Sequence, residues 1–342
     1  MYSLSILISM KRYIISHKNQ LLYLILILFT AGFLRFIYLD RIPSAISGDE
    51  LLYVITAKSI FLTGHDITGK WNTLSAFVFR YPPNEQQAEL PYFLHVPFSG
   101  PFPFSLFTAK LPFALLSVGI VLLLYAISKK LFGEPFGIAA GFIAAINPWL
   151  VVMGRTGYES TPATFFYLLA LYILLKAGNW RILWSFIPLL LAFYSYIGTK
   201  LIFIPFVMLT TVFAYIHNKN KHLKPYIVLN LISIVFIIGF VYLLRTSPTG
   251  SRMSELFLPN SPVVAAQVNE IRKNSISSSS LTFMTNKYVV YTQIVWAKLF
   301  RIFSPSYLFT EGDQFFLPGR QSFFYAIDSI FLVIGLFSLF VK

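Results

Sequence analysis

Leu21-Leu22-Tyr23-Leu24-Ile25-Leu26-Ile27-Leu28-Phe29-Thr30-Ala31-Gly32-Phe33-Leu34 is an uninterrupted run of apolar and small residues. Thirteen residues after it comes Ser47-Gly48-Asp49-Glu50-Leu51-Leu52-Tyr53. The first stretch is long and greasy enough, with its flanks, to cross a bilayer as a helix. The second places two adjacent carboxylates just beyond that crossing, where charge is costly to hold near lipid and asks for a reason. Working outward, the whole chain repeats the first theme. Of its 342 residues, 56% are hydrophobic and only 12% charged, with a mean hydropathy of +0.69. Soluble domains carry about 25% charged residues, so this composition belongs to an all-α polytopic membrane protein.

Apolar runs of roughly 18–20 residues predict spans near 20–39, 106–127, 136–153, 161–176, 182–197, 201–216, 225–244 and 323–341, about 8 to 9 in all. Lys11, Arg12 and Lys18 precede the first run, and no small-residue cleavage site follows it, so it reads as a retained first span rather than a cleaved signal. No repeat of 20–50 residues is visible, and residues 1–342 read as one transmembrane domain. The segments expected on the cytoplasmic side hold Lys11, Arg12, Lys18, Lys129, Lys130, Lys176, Arg181, Lys219, Lys221 and Lys224, with Glu134 the sole carboxylate among them. That bias predicts a cytoplasmic N-terminus and puts acid–base chemistry on the outer face of a plasma (inner) membrane.

Two outer regions are long. The first, 40–105, carries the acidic pair; the second, 245–322, contains an amphipathic stretch at 287–303 suited to lying on the membrane or lining a cavity. Residues 49–63 predict an interfacial helix opened by a Ser47 or Asp49 cap and closed by Gly64. Its expected faces are Asp49, Tyr53, Thr56 and Thr63 on one side and Leu51, Val54, Ile55, Phe61 and Leu62 on the other. The absence of cysteine excludes disulfides, thiolate metal sites and cysteine nucleophiles. A net charge of +14 spread between apolar spans points to anionic lipid or a lipid-linked phosphate, not to nucleic acid.

An ordered set of short motifs runs along most of the chain: Gly48-Asp49-Glu50; Thr63-Gly64-His65-Asp66-Ile67-Thr68-Gly69-Lys70; Pro91-Tyr92; Ala109-Lys110-Leu111-Pro112; Asn147-Pro148-Trp149; Gly154-Arg155-Thr156-Gly157-Tyr158-Glu159; Tyr194 to Lys200; and Phe303 to Phe309. Together they resemble the bacterial members of the GT-C superfamily of integral-membrane glycosyltransferases, close to protein O-mannosyltransferases and the lipid A aminoarabinose transferase. The resemblance implies a GT-C-type helix bundle and an inverting transfer of sugar from a polyprenyl-phosphate donor. The acceptor hydroxyl would belong to a protein, a glycolipid or a cell-wall polymer on the outer face. Relatives often carry Lys-Pro-Pro where this chain has Glu89-Leu90-Pro91, an acid in place of a cation. Many also run further at the C-terminus, so the end at Lys342 is either natural or a truncation.

The residue chemistry can be followed separately. Attack on an anomeric carbon needs a base for the acceptor proton, and Asp49 matches the family's acid, with Glu50 beside it. Charge building on a departing lipid phosphate needs cations; Arg155, Lys200 and Lys110 fall at predicted outer span ends. Each also has a plainer role: snorkelling for the lysines, and an i,i+4 pairing with Glu159 for Arg155. Tyr53, Asp66 and Glu159 are expected to orient acceptor or substrate. No cofactor is required by these residues. His65, Glu85, Glu89 and His95 could join the acidic pair around a divalent metal, though no tight ligand spacing supports it. The competing function is a transporter or flippase of a lipid-linked or anionic solute, which would place ionisable groups at mid-span.

Overall fold

The computed structural model describes residues 2–69, 88–219, 222–246, 262–274, 285–312 and 322–340, and no strand occurs among them. The chain is an all-α polytopic membrane protein. It divides into two compact units, 1–241 and 242–342, each taken by itself.

In the first unit, α1 (Tyr2–Phe36) is followed by α2 (Gly48–Thr63), α3 (Leu90–Ser99), α4 (Leu106–Phe132), α5 (Glu134–Ile146), α6 (Pro148–Gly154) and α7 (Ser160–Lys176). A 3₁₀ turn, Trp180–Ser185, leads into α8 (Phe186–Ser195). Helices α9 (Ile197–His217) and α10 (Lys224–Thr246) follow, the last running five residues past the unit boundary. By length and apolarity Asn19–Phe36, Leu106–Phe132, Ile197–His217 and Lys224–Tyr242 can each cross a membrane, and α7, α8 and the last helix are shorter apolar segments. Twenty-seven residues of α4 extend about 40 Å, more than the ~30 Å hydrocarbon core.

The expected span 136–153 is not one helix. It breaks into α5 and α6, bent by 58°. Pro148 supplies no N–H and its ring would clash with the preceding turn, while the Asn147 side chain accepts from Leu150 N at 2.9 Å and starts a new helix. The carbonyls released at the end of α5 are met by Arg35, buried on α1. Its guanidinium donates to Ala145 O at 2.9 Å, Ala144 O at 3.3 Å and Ser117 Oγ at 2.6 Å. A lone arginine just past an apolar run carried this signal in the sequence, but only the break explains it.

Small residues let α1, α4 and α5 approach closely. Ile27, Ala31, Val121, Tyr125, Ala144 and Ala145 form their shared core. Any Cβ at Gly141 would lie 2.9 Å from Ile27 Cδ1. Such small-residue contacts are how helices associate where lipid removes the usual hydrophobic drive. Further along, Phe193 of α8 packs edge-on against Phe203 of α9 and Phe236 and Phe240 of α10, at centroid distances of 4.8–5.2 Å.

Helix α2 opens with a full capping box. Ser47 Oγ accepts from Glu50 N at 3.2 Å, and Glu50 Oε2 accepts from Ser47 N at 2.7 Å. Gly64 closes it at φ 74°, its N–H reaching Ile60 O at 2.9 Å. The faces differ from the expected ones: Val54 is buried alongside Tyr53, Thr56, Ala57 and Ile60, whereas Asp49 and Thr63 are exposed together with Leu51, Ile55, Phe61 and Leu62. The helix turns its mixed face inward onto α3, through Tyr53, Ile60 and Tyr92, because polar groups there find partners. Ser47→Ala is expected to lower stability by about 1 kcal/mol, read as a drop in the thermal midpoint in detergent. An unchanged midpoint would assign the helix start to packing alone.

In the second unit, α11 (Pro262–Asn274) and α12 (Lys287–Ile302) pack through Val264, Val268 and Val290, with Ile294 alongside. Asn286 caps α12, accepting from Tyr288 N at 2.9 Å and Val289 N at 3.0 Å. Trp296 and Phe300 stack on its exposed side at 5.8 Å. A π turn, Tyr307–Glu311, and α13 (Asp328–Phe340) follow.

Candidate functional site

The site is built where the first turn of α2 meets the loop after α6. Asp49 is exposed in that turn, while Glu50 is buried and points the other way. Besides closing the capping box, Glu50 accepts from the backbone N–H of Gly157 through Oε1. The contact is so close that a Cβ at position 157 would lie 2.7 Å from Glu50 Cγ. A glycine is needed there because the backbone comes up against the carboxylate. Glu50 therefore ties α2 to the 154–159 loop and leaves Asp49 as the outward carboxylate of the pair.

One turn on, the Tyr53 hydroxyl donates to Glu159. Ala88 N reaches both groups, at 3.2 Å from Glu159 Oε1 and 3.3 Å from Tyr53 Oη. Tyr53, Glu159 and the segment entering α3 are thus one hydrogen-bonded unit. The Tyr53 ring meets Tyr92 edge-on at 4.8 Å. Burial, followed by the nearby charges of Glu89, Asp66 and Asp49, pushes the Tyr92 phenol well above its ordinary range. Burial and the charges of Glu50 and Asp49 likewise raise Tyr158. Both phenols stay protonated beside these carboxylates.

The three candidate phosphate cations are all buried here, each with a partner. Arg155 does not adopt the helical i,i+4 geometry with Glu159, because α6 ends at Gly154 and the two no longer share a helix face. Its guanidinium instead donates to the carbonyls of Leu34 at 2.8 Å, Ile37 at 2.8 Å, Tyr38 at 3.1 Å and Ile42 at 2.8 Å. It gathers the orphan carbonyls at the end of α1 and the turn after it. Burial pulls its pKa below the usual arginine value. Lys110 donates to the carbonyl of Pro43. Lys200 pairs with Glu89, at 2.8 and 3.1 Å to the two carboxylate oxygens, and its ammonium lies 5.4–5.9 Å from the ring centroids of Phe193, Tyr194 and Phe240.

The remaining candidates have separate settings. Asp66 is buried and accepts from Thr68 N at 3.0 Å and Thr68 Oγ1 at 2.8 Å, the geometry of an Asx turn. His65 is exposed, its Nδ1 2.9 Å from Thr63 O. Glu85 and Lys70 lie outside the described residues. Among the described residues no group of three or more His, Asp or Glu side chains is brought together in metal-binding geometry.

Sequence reading missed what His95 does. It is 1% exposed, its ring stacks on Tyr53 at 6.3 Å and tilts against Phe113 at 5.2 Å, and neither ring nitrogen has a hydrogen-bond partner among the described residues. Burial lowers its pKa from 6.5 to about 3. The folded state therefore holds it neutral, while the unfolded chain takes up a proton below pH 6.5, so stability falls as pH drops from 6.5 towards 3. His95→Phe is expected to flatten that acid-side slope in a pH series of thermal midpoints. An identical slope in both proteins would mean that His95 is not the group responsible.

Fold and site together define an all-α, multi-pass membrane protein with an acid-bearing helix tied to the loop after α6. Residues 100–243, from just before α4 to within α10, match the family described as dolichyl-phosphate-mannose-protein mannosyltransferase. A Bacillus subtilis (strain 168) protein named "Putative mannosyltransferase YkcB" is 32% identical over 138 residues, which make up 39% of this chain and 18% of that protein. The match thus spans less than a fifth of that relative's length. No solved structure matches the chain. The resemblance carried by the ordered motifs is borne out: this chain is similar to the protein O-mannosyltransferase-like branch of the GT-C superfamily. Lys110, Arg155, Glu159 and Lys200 fall inside the matched segment; Asp49, Glu50, Tyr53, Asp66, Glu89 and His95 precede it.

Proposed function

We propose that this protein is an inverting glycosyltransferase that moves a sugar, mannose or a related hexose or pentose, from a polyprenyl-phosphate donor to an acceptor hydroxyl. The observation that carries the reading is the Glu50–Gly157 clamp. It holds the acid-bearing turn of α2 against a loop that belongs to the mannosyltransferase-like segment. In the reaction the acceptor oxygen attacks the anomeric carbon from the face opposite the phosphate, and Asp49 takes the acceptor proton. The bond between the anomeric carbon and the phosphate oxygen breaks, and its electron pair stays on the lipid phosphate. Glu50 fixes the turn that presents Asp49, while Tyr53 and Glu159 orient the substrate. This scheme asks about 3–5 kcal/mol of the base, equivalent to 10²–10⁴ in rate.

Lys110 is the cation most readily given to the phosphate, because its hydrogen bond here is to a neutral carbonyl. Lys200 would have to leave a carboxylate, and Arg155 is bound up in holding the turn at residues 37–42. The lysine and arginine bias supports a cytoplasmic N-terminus in the plasma (inner) membrane, with this site at the outer surface and membrane lipid around it. Protein, glycolipid and cell-wall polymer remain the acceptor classes, and no metal is written into the mechanism.

The test is an assay on membranes containing the full chain, supplied with sugar-labelled polyprenyl phosphates. The expected result is label passing covalently to an endogenous acceptor. Label that only crosses the bilayer, still attached to its lipid, would replace the transferase with the flippase.

A further inference from the structure

A groove of about 670 Å³ runs along the unit's flank between α3, α4 and α7, and its lining is almost wholly apolar. On α4 it extends from Pro112 to Ala126, about 21 Å of helix, more than the ~15 Å that one leaflet contributes to the hydrocarbon core. Its floor depends on Gly119. A Cβ there would come within 2.5 Å of Phe165 Cε2, so the missing side chain lets the edge of the Phe165 ring close onto α4. The groove's far end is formed by Ala126 and Tyr172. Four residues beyond each, on the same helical faces, stand Lys130 and Lys176, both exposed. The Lys176 ammonium lies 5.6 Å from the centroid of the Tyr172 ring, which brings it to the groove mouth. Neighbouring Lys129 is already paired with Glu134 at 2.5 Å.

We propose that this groove is a binding site for an anionic glycerophospholipid, with one acyl chain along α4 and the phosphate headgroup between Lys130 and Lys176. The apolar lining accounts for the chain, and the two exposed cations one turn past its end account for the charge. The headgroup end lies at the opposite end of α4 from Lys110, while the groove's other end, at Leu94 and Pro112, adjoins the elements of the proposed transfer site. Lipid binding here does not rest on the transferase reading. A general role for these lysines in setting topology would need neither the groove nor its alignment with them.

The experiment uses the full chain in nonionic detergent, titrated with lipid and read by native mass spectrometry. Phosphatidylglycerol is expected to be retained roughly tenfold or more over phosphatidylcholine, since two lysines near the headgroup both favour the anionic lipid. Lys130→Gln with Lys176→Gln should bring phosphatidylglycerol down to the phosphatidylcholine level while leaving the lipid-free melting midpoint unchanged. Leu122→Trp, at a groove-lining position 39% exposed, should lower retention of both lipids. Glycerol phosphate alone should not be retained. Equal retention of the two phospholipids, or undiminished phosphatidylglycerol binding in the double lysine variant, would overturn the proposal. So would displacement of phosphatidylglycerol by equimolar polyprenyl phosphate, which would assign the groove to a different lipid.

Discussion

Asp49→Asn is expected to reduce sugar transfer by at least 10²- to 10⁴-fold while leaving expression and melting behaviour near those of the parent chain. The size follows from removing a general base whose proton transfer contributes about that much to such reactions. The selectivity follows from where the side chain sits. Asp49 is exposed in the first turn of α2, and the capping box and loop clamp are made by Ser47 and Glu50. Asparagine keeps the shape and a good helix-start residue but cannot take the proton. Donor binding, read by retention of labelled polyprenyl-phosphate sugar, should survive the change. Near-normal transfer by this variant would remove Asp49 from the mechanism. Glu50→Gln offers the contrast. It retains one acceptor oxygen for the two backbone N–H groups, so loss there should appear in both the melting midpoint and the rate.

The second large effect is expected at the pair joining α3 to α9. Glu89→Gln removes the carboxylate charge opposite a buried ammonium, and breaking one side of such a pair costs about 3–5 kcal/mol. Both side chains are nearly closed off, at 5% and 3% exposure. Solvent screening therefore offers little relief, although the ring faces of Phe193, Tyr194 and Phe240 hold part of the charge. The thermal midpoint should fall sharply in Glu89→Gln and largely recover in Glu89→Gln with Lys200→Met, where neither charge is buried. A single variant as stable as the parent would show that the pair does not hold α3 in place. The same pair gives Glu89 a physical role at the position where the resembled family often carries lysine: here the acid answers a cation supplied from α9.

Much of this protein was legible before any coordinates. Most predicted spans fall on helices, because an apolar run in a bilayer satisfies its backbone within itself; the run at 136–153 instead breaks at Asn147-Pro148, and 182–197 begins in the 3₁₀ turn Trp180–Ser185. The bounds of α2 followed from Ser47, Glu50 and Gly64, since caps act within one turn of chain. Asp49 stood out for the same local reason, as charge placed against lipid.

What local reasoning could not reach were the partners of buried cations. Arg155 was expected to meet phosphate or Glu159, and it holds the carbonyls at the end of α1 more than a hundred residues away. Arg35 attracted no role, and it completes the broken span at Asn147-Pro148. His95 looked like a ligand, and it is a neutral ring packed between Tyr53 and Phe113. Apolar periodicity and capping are written along the chain, so the sequence by itself determined the membrane class, most of the helices and the place of the acidic pair. Which carbonyl or carboxylate meets each buried charge depends on helices far apart in the chain. Only the tertiary structure decided that, because a buried charge takes whatever partner the packing brings within hydrogen-bond reach.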